Sequence, residues 1–133
     1  MPPRKISASR IKAPVVRVSK EFTFDAAHRL ERYKGKCEAL HGHTYRLRIT
    51  LEAPVGADGI AFDFYEIKRI AEERVLDALD HTYLNEVMAQ PTAENVALWI
   101  RERLAGLPLF EIRVWETPTS FVTVRGAAKS RRK

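Results

Sequence analysis

The chain has 133 residues, 45% of them hydrophobic and 30% charged, which describes one ordinary globular domain able to bury a core without disulfide staples. Its single cysteine excludes an internal disulfide and suits a reducing cytoplasm. No apolar run approaches the roughly 20 residues of a membrane span, and the basic N-terminus lacks the apolar stretch of a signal peptide. The formal charge of +6 belongs to the ends. Residues 1–14 carry Arg4, Lys5, Arg10 and Lys12, residues 126–133 carry Lys129, Arg131, Arg132 and Lys133, and neither segment has an acid. The body between them is therefore slightly negative, unlike a nucleic-acid domain, whose positive face lies on the folded body. The expected organisation is two basic, solvated tails, 1–14 and 126–133, flanking a domain over 15–125.

In chain order, the first predicted element is a strand. Val16, Val18, Phe22 and Phe24 alternate with Arg17, Glu21 and Thr23, with Lys20 interrupting the apolar face once. Continued in register, Ala26 and His28 fall on the same face. Residues 29–36 are polar and basic, include Gly35, and read as a loop.

The next stretch, Cys37-Glu38-Ala39-Leu40-His41-Gly42-His43, leads into a second strand. His41, His43, Tyr45, Leu47, Ile49 and Leu51 share one parity, so both imidazoles sit on the apolar face. Two neighbouring strands with inward histidines bring His28, His41 and His43 together. Three imidazoles with a fourth position left for water or substrate are the donor set of a catalytic zinc site. Imidazole also suits copper, nickel and iron; the bland alternative is a turn with surface histidines. Cys37 has three readings: apolar filler, fourth metal ligand, or catalytic thiolate.

Pro54, Gly56, Asp58 and Gly59 make a turn-rich connection. Asp63 then caps a helix, with Glu66 three residues on as in a capping box. Phe64, Ile67, Ala71 and Val75 form its stripe, widened by Ile70, Leu76 and Leu79. Asp80-His81 follows directly, read either as a general base with its orienting carboxylate or as a helix C-terminal histidine. Thr92 caps a second helix whose apolar side is Val96, Trp99, Ile100 and Leu104, stopped by Gly106 and Pro108. Phe110, Ile112 and Val114 alternate with Glu111 and Arg113 in a strand whose apolar parity continues to Glu116. A carboxylate there needs a partner, either an ion pair or a ligand with adjacent N–H donors. Pro118 breaks the run, and residues 121–124 form a last strand. The order β-β-α-α-β-β predicts an α+β domain, an antiparallel sheet with two helices on one face.

These residues resemble a known family. Phe24-Asp25-Ala26-Ala27-His28-Arg29-Leu30, Cys37-x-x-x-His41-Gly42-His43, Phe62-Asp63-Phe64, Leu79-Asp80-His81-x-x-Leu84-Asn85, Pro91-Thr92-Ala93-Glu94-Asn95 and Trp115-Glu116-Thr117 are similar to the motifs of the 6-pyruvoyl- and 6-carboxy-tetrahydropterin synthases, in order, over about residues 16–125. The resemblance implies a tunnelling fold whose subunits join sheets into an oligomeric barrel, a hexamer of two trimers. It implies that His28, His41 and His43 bind Zn2+, that Cys37 accepts a proton, that Asp80 and His81 form the relay, and that Glu116, with Thr117 beside it, grips the pterin of 7,8-dihydroneopterin triphosphate. Loop cations Arg29, Arg32, Lys34 and Lys36 could draw in the triphosphate or simply be solvated. Glu38 adds an E-x-x-H-G-H reading beside the cysteine form, similar to members releasing 6-hydroxymethyl-dihydropterin. The expected activity is a cytoplasmic zinc-dependent lyase making 6-carboxy-tetrahydropterin for queuosine and related deazapurines. The alternatives are pyruvoyl or hydroxymethyl products, or a non-catalytic pterin-binding module.

Overall fold

The computed structural model describes residues 13–35 and 39–126. Five strands form one sheet: β1 (Val15–His28), β2 (His41–Pro54), β3 (Thr82–Tyr83), β4 (Leu109–Thr117) and β5 (Ser120–Arg125), in the order β3-β1-β2-β4-β5. β1 and β2 are 14 residues each and pair antiparallel without interruption from Val15↔Pro54 to His28↔His41. Their inward sets, Phe24, Ala26 and His28 on one strand and Tyr45, Leu47, Ile49 and Leu51 on the other, are buried, as the alternation requires. The one addition to the expected sheet is β3, two residues that pair parallel to β1 at Ala26 and Ala27. Two residues carry no legible period, so the sequence gives no sign of it.

The helical layer covers the inward face. α1 (Phe64–Ala71) runs through a π-helical turn (Glu72–Leu76) into α2 (Asp77–Leu79), and α3 (Ala93–Arg103) follows a 3₁₀ turn (Leu84–Glu86). The expected stripe has a physical flaw that the π turn repairs. Ile67, Ala71, Val75 and Leu79 are four apart, and on an ideal helix each such step drifts by about 40°. The wider turn absorbs the drift, and all four are buried. Phe64 stands outside that stripe at 54% exposure. Asp63 caps as expected, its carboxylate accepting the Tyr65 amide at 2.9 Å, but no reciprocal capping box forms. Glu66 instead pairs with Arg69, which also reaches Glu73 at 2.6 Å. The Thr92 hydroxyl accepts the Asn95 amide at 3.1 Å and starts α3, whose Val96, Ala97, Ile100 and flanking Leu104 complete the core. Full burial of each such aliphatic side chain stabilises by roughly 1.5–3 kcal/mol.

Two irregularities of β4 depart from simple alternation. Thr50 pairs with Glu111 but Leu51 pairs with Leu109, so Phe110 is an extra residue. Phe110 leaves the core side, its ring lying under Arg17 (3.5 Å) and Arg125 (4.5 Å), while Leu109 packs against the core in its place. At the far end, Trp115 pairs with Phe121 but Thr117 with Ser120, which leaves Glu116 as the bulged residue. Trp115 is buried on the helix-free face by guanidinium stacking, with Arg46 3.8 Å above its ring. No helix among the described residues is long and apolar enough to cross a membrane.

Candidate metal centre and flanking cleft

The uninterrupted β1–β2 register sets His28 directly opposite His41 and Ala26 opposite His43. All three imidazoles project from the helix-covered side at the open end of the ladder, with ring centroids 4.6–5.1 Å apart. One nitrogen from each lies within 4.8 Å of the others, and His28 Nε2 is 3.1 Å from His41 Nε2. A tetrahedral ion with bonds of about 2.0–2.1 Å places neighbouring nitrogens about 3.3–3.4 Å apart, so this spacing fits.

The hydrogen bonds behind the rings test the fit further. His28 Nδ1 lies 2.7 Å from the Pro91 carbonyl, and His41 Nδ1 lies 2.9 Å from the Ala39 carbonyl. A carbonyl only accepts, so each Nδ1 carries the proton and a neutral ring turns a bare lone pair inward at Nε2. Two lone pairs 3.1 Å apart repel unless a cation sits between them. Outer carbonyls that fix the tautomer are the usual support of a histidine metal ligand. His28 is 1% exposed and His43 Nε2 is sealed from solvent. Tyr45, also buried, stacks on Phe24 (4.9 Å, 6° between planes), and its hydroxyl lies 3.3 Å from His28 Nδ1. Burial, and secondarily the charge of Glu116, pushes its phenol far up from the ordinary tyrosine value, so it stays protonated.

The bulge aims Glu116 at this centre. Its carboxylate comes within 3.7 Å of His28 Nε2 and lines a cavity of about 490 Å³ with His43, Tyr45, Arg46, Trp115 and Thr117. The cavity exists because β2 and β4 part beyond the Arg46↔Trp115 pair, leaving a slot between residues 42–45 and 116–118.

On the other side of β2, His81 and His43 share a second cavity of about 550 Å³ with Asp25, Gly42 and Thr44. Adjacent side chains rarely bond, yet Asp80 Oδ1 lies 3.1 Å from His81 Nδ1. His81 takes a left-handed φ of 59°, following an extended Asp80, and this kink swings the two side chains together. Asp80 also accepts the Asp25 amide, and the His81 amide donates to the Asp25 carbonyl. Asp25, whose carboxylate accepts from the Thr44 hydroxyl, is thus a hub that site-directed reading of the sequence missed. Its outward parity on β1 was the available signal. Asn85 and Gln90 were also missed. Each side-chain amide makes two bonds to one backbone residue of the loop after β1, Asn85 to Arg29 and Gln90 to Glu31.

The predicted residues therefore divide. The three histidines, Glu116, Thr117 and His81 reach the two cavities or the candidate metal centre they flank, and Asp80 stands behind His81 without lining either cavity. Arg29, Arg32 and Lys34 lie exposed on the loop. Cys37, Glu38, Lys36 and both tail segments lie outside the described residues, apart from residues 13–14 and 126.

A mainly antiparallel α+β chain with three inward histidines at one end of its longest ladder defines the class: a tunnelling-fold protein with a candidate histidine metal centre. Residues 17–127 match the model of the 6-pyruvoyl tetrahydropterin synthase family, and the chain belongs to that family. Among curated relatives, 6-carboxy-5,6,7,8-tetrahydropterin synthase of Haemophilus influenzae is 36% identical over 134 residues, covering 79% of this chain and 95% of the relative. The Synechocystis enzyme of the same name is 40% identical over 113 residues, covering 77% and 88%. A Pyrococcus furiosus relative, 38% identical over 107 residues and covering 75% and 89%, is named dihydroneopterin monophosphate aldolase. The solved 6-pyruvoyl tetrahydropterin synthase of Caenorhabditis elegans superposes with a TM-score of 0.77 at 26% identity, covering 88% of this chain and 99% of that one.

Proposed function

We propose that this chain is a zinc-dependent 6-carboxy-5,6,7,8-tetrahydropterin synthase acting on 7,8-dihydroneopterin triphosphate, in the deazapurine (queuosine) route. The observation that carries the reading is the convergence of His28, His41 and His43 between two cavities, one holding Glu116 and the other His81, which Asp80 contacts at 3.1 Å. The relatives named as carboxy-forming synthases supply the product.

A bound zinc would polarise the side-chain oxygens of the substrate and make neighbouring protons more acidic. The chain's own groups do the rest. Glu116 accepts the N–H edge of the pterin and fixes the ring. His81, oriented by Asp80, moves protons together with the Cys37 thiol. Thr117 and Glu38 complete the contacts to substrate. The catalytic domain is 15–125 and the two basic segments are accessory to it. The protein is cytoplasmic and assembles as a homohexamer of two trimers. The outer edges of β5 and of β1 from residue 15 to 25 have no ladder partner among the described residues, and an extended sheet between copies would satisfy them.

A second reading has its own support. A relative is named an aldolase of dihydroneopterin monophosphate, and the sequence places Glu38 beside Cys37. Carbon–carbon cleavage with release of 6-hydroxymethyl-dihydropterin is the corresponding product. Incubating the zinc-loaded chain with 7,8-dihydroneopterin triphosphate and identifying the pterin by mass separates the two. A carboxy-tetrahydropterin mass supports the first reading, a hydroxymethyl mass supports the second, and unchanged substrate defeats both.

A further inference from the structure

Tyr45 occupies the next inward position after His43 on β2, fully buried, in a place where packing alone would be served by phenylalanine. Its ring lies flat on Phe24 and presents edges to both neighbouring imidazoles, at centroid distances of 5.6 Å to His43 and 6.2 Å to His28. The ring is therefore packed on three sides, which limits where its hydroxyl can lie. That hydroxyl ends 3.3 Å from His28 Nδ1, beside the Pro91 carbonyl at 2.7 Å. Nδ1 has a single proton, which the carbonyl takes as the closer acceptor. The hydroxyl oxygen receives the lesser share of a forked N–H bond, and its own proton is left to turn toward the cavity it lines with Glu116.

We infer that Tyr45 is a positioning residue for the metal ligand His28: its hydroxyl and the Pro91 carbonyl together set the rotation of that imidazole and so the direction of its Nε2 lone pair. A ring pinned at one Nδ1 contact can still swing about its own bond, whereas two contacts on either side of the N–H fix the plane. Outer-shell partners of this kind are worth 10- to 100-fold in metal affinity. The phenol also links the cavity that holds Glu116 to the metal shell, because the same side chain lines one and touches the other. The inference rests on the metal reading of the three histidines.

The test uses the full-length zinc-loaded protein and a chelating dye. Tyr45→Phe keeps the Phe24 stack and removes the hydroxyl alone. It is expected to bind zinc about tenfold more weakly, with an unchanged far-UV circular dichroism spectrum. In the cobalt-substituted protein, its visible ligand-field bands are expected to shift, a change that a packing role would not cause. Ile112→Val is the control: it opens a small core cavity opposite Ile49, away from the histidines, lowers the thermal midpoint and leaves zinc affinity in place. Wild-type affinity together with an unshifted cobalt spectrum in Tyr45→Phe overturns the inference while leaving the metal centre standing. Failure of the parent chain to hold one zinc, with His41→Ala no different, overturns the metal reading and the inference together.

Discussion

Asp80 is tied to Asp25. The Asp25 amide donates to the Asp80 carboxylate at 2.9 Å, and one residue later the His81 amide returns to the Asp25 carbonyl at 2.6 Å. The end of α2 is thereby locked to the strand that carries His28, three residues further along. This lock explains how a residue 79% exposed can have a defined orientation: the His81 ring is free to solvent, but its backbone and its Nδ1 are not.

Asp80→Asn should keep the acceptor for the Asp25 amide while losing the charge beside His81. If the pair moves a proton, kcat falls about 10²-fold, at the lower end of the range for general acid–base catalysis. Metal content should not change, because Asp80 makes no contact with the three-histidine centre. Steady-state kinetics together with elemental analysis of the purified variant would check this, and a parental kcat would remove the relay from the mechanism.

Metal removal should act on stability as well as activity. The two Nδ1–carbonyl bonds hold His28 and His41 with their Nε2 atoms 3.1 Å apart, an arrangement that a cation between them would stabilise. A ligand at a hundredfold excess over its dissociation constant adds about 2.7 kcal/mol, which is about 10 degrees of thermal midpoint in a domain of this size. Dialysis against a strong chelator should lower the midpoint by that amount and abolish turnover, and zinc should restore both. His41→Ala should already melt at the lower temperature and ignore added zinc in differential scanning calorimetry.

The parts of this site that could be read from the chain are those governed by strand parity. Period two alone places His28 with Phe24 and Ala26, and His41 and His43 with Tyr45 and Leu47, and the antiparallel ladder does the rest. What parity could not reveal are the breaks in period. Phe110 left the core because one residue too many sits opposite Thr50 and Leu51, and nothing local distinguishes Leu109 from Phe110 as the inward member. Glu116 is a partial case: its parity with Ile112 and Val114 already points it to the histidine side, and only its release from the ladder comes from a bulge. Asp25 escaped notice because its role rests on backbone groups and on Thr44, both distant in sequence from Asp80.

Glu116 combines two positions: a bulge that turns it out of the ladder, and a cavity shared with Arg46 and Trp115. A carboxylate accepting paired N–H groups is a charge-assisted contact worth about 1.5–3 kcal/mol. Glu116→Gln should thus lower kcat/KM by roughly 10- to 100-fold, carried mainly by KM if the role is to hold the ring. The same loss carried wholly by kcat would mean that the carboxylate takes part in chemistry, and unchanged kinetics would put the pterin elsewhere.

Gly42 separates His41 from His43, which suggests that the position tolerates nothing larger, but the packing says otherwise. A methyl group there would meet the Ala26 carbonyl at 3.4 Å and the Ala27 Cα at 4.0 Å, ordinary contact distances. Gly42 does line both cavities, one shared with Glu116 and the other with His81. Gly42→Ala is therefore expected to fold, to melt within a degree or two of the parent and to bind one zinc. Its cost should fall on substrate, as a raised KM, because the added methyl stands where the two cavities meet. Loss of zinc from the variant would show instead that the spacing of His41 and His43 depends on glycine, and that the room seen beside it is not available to a side chain.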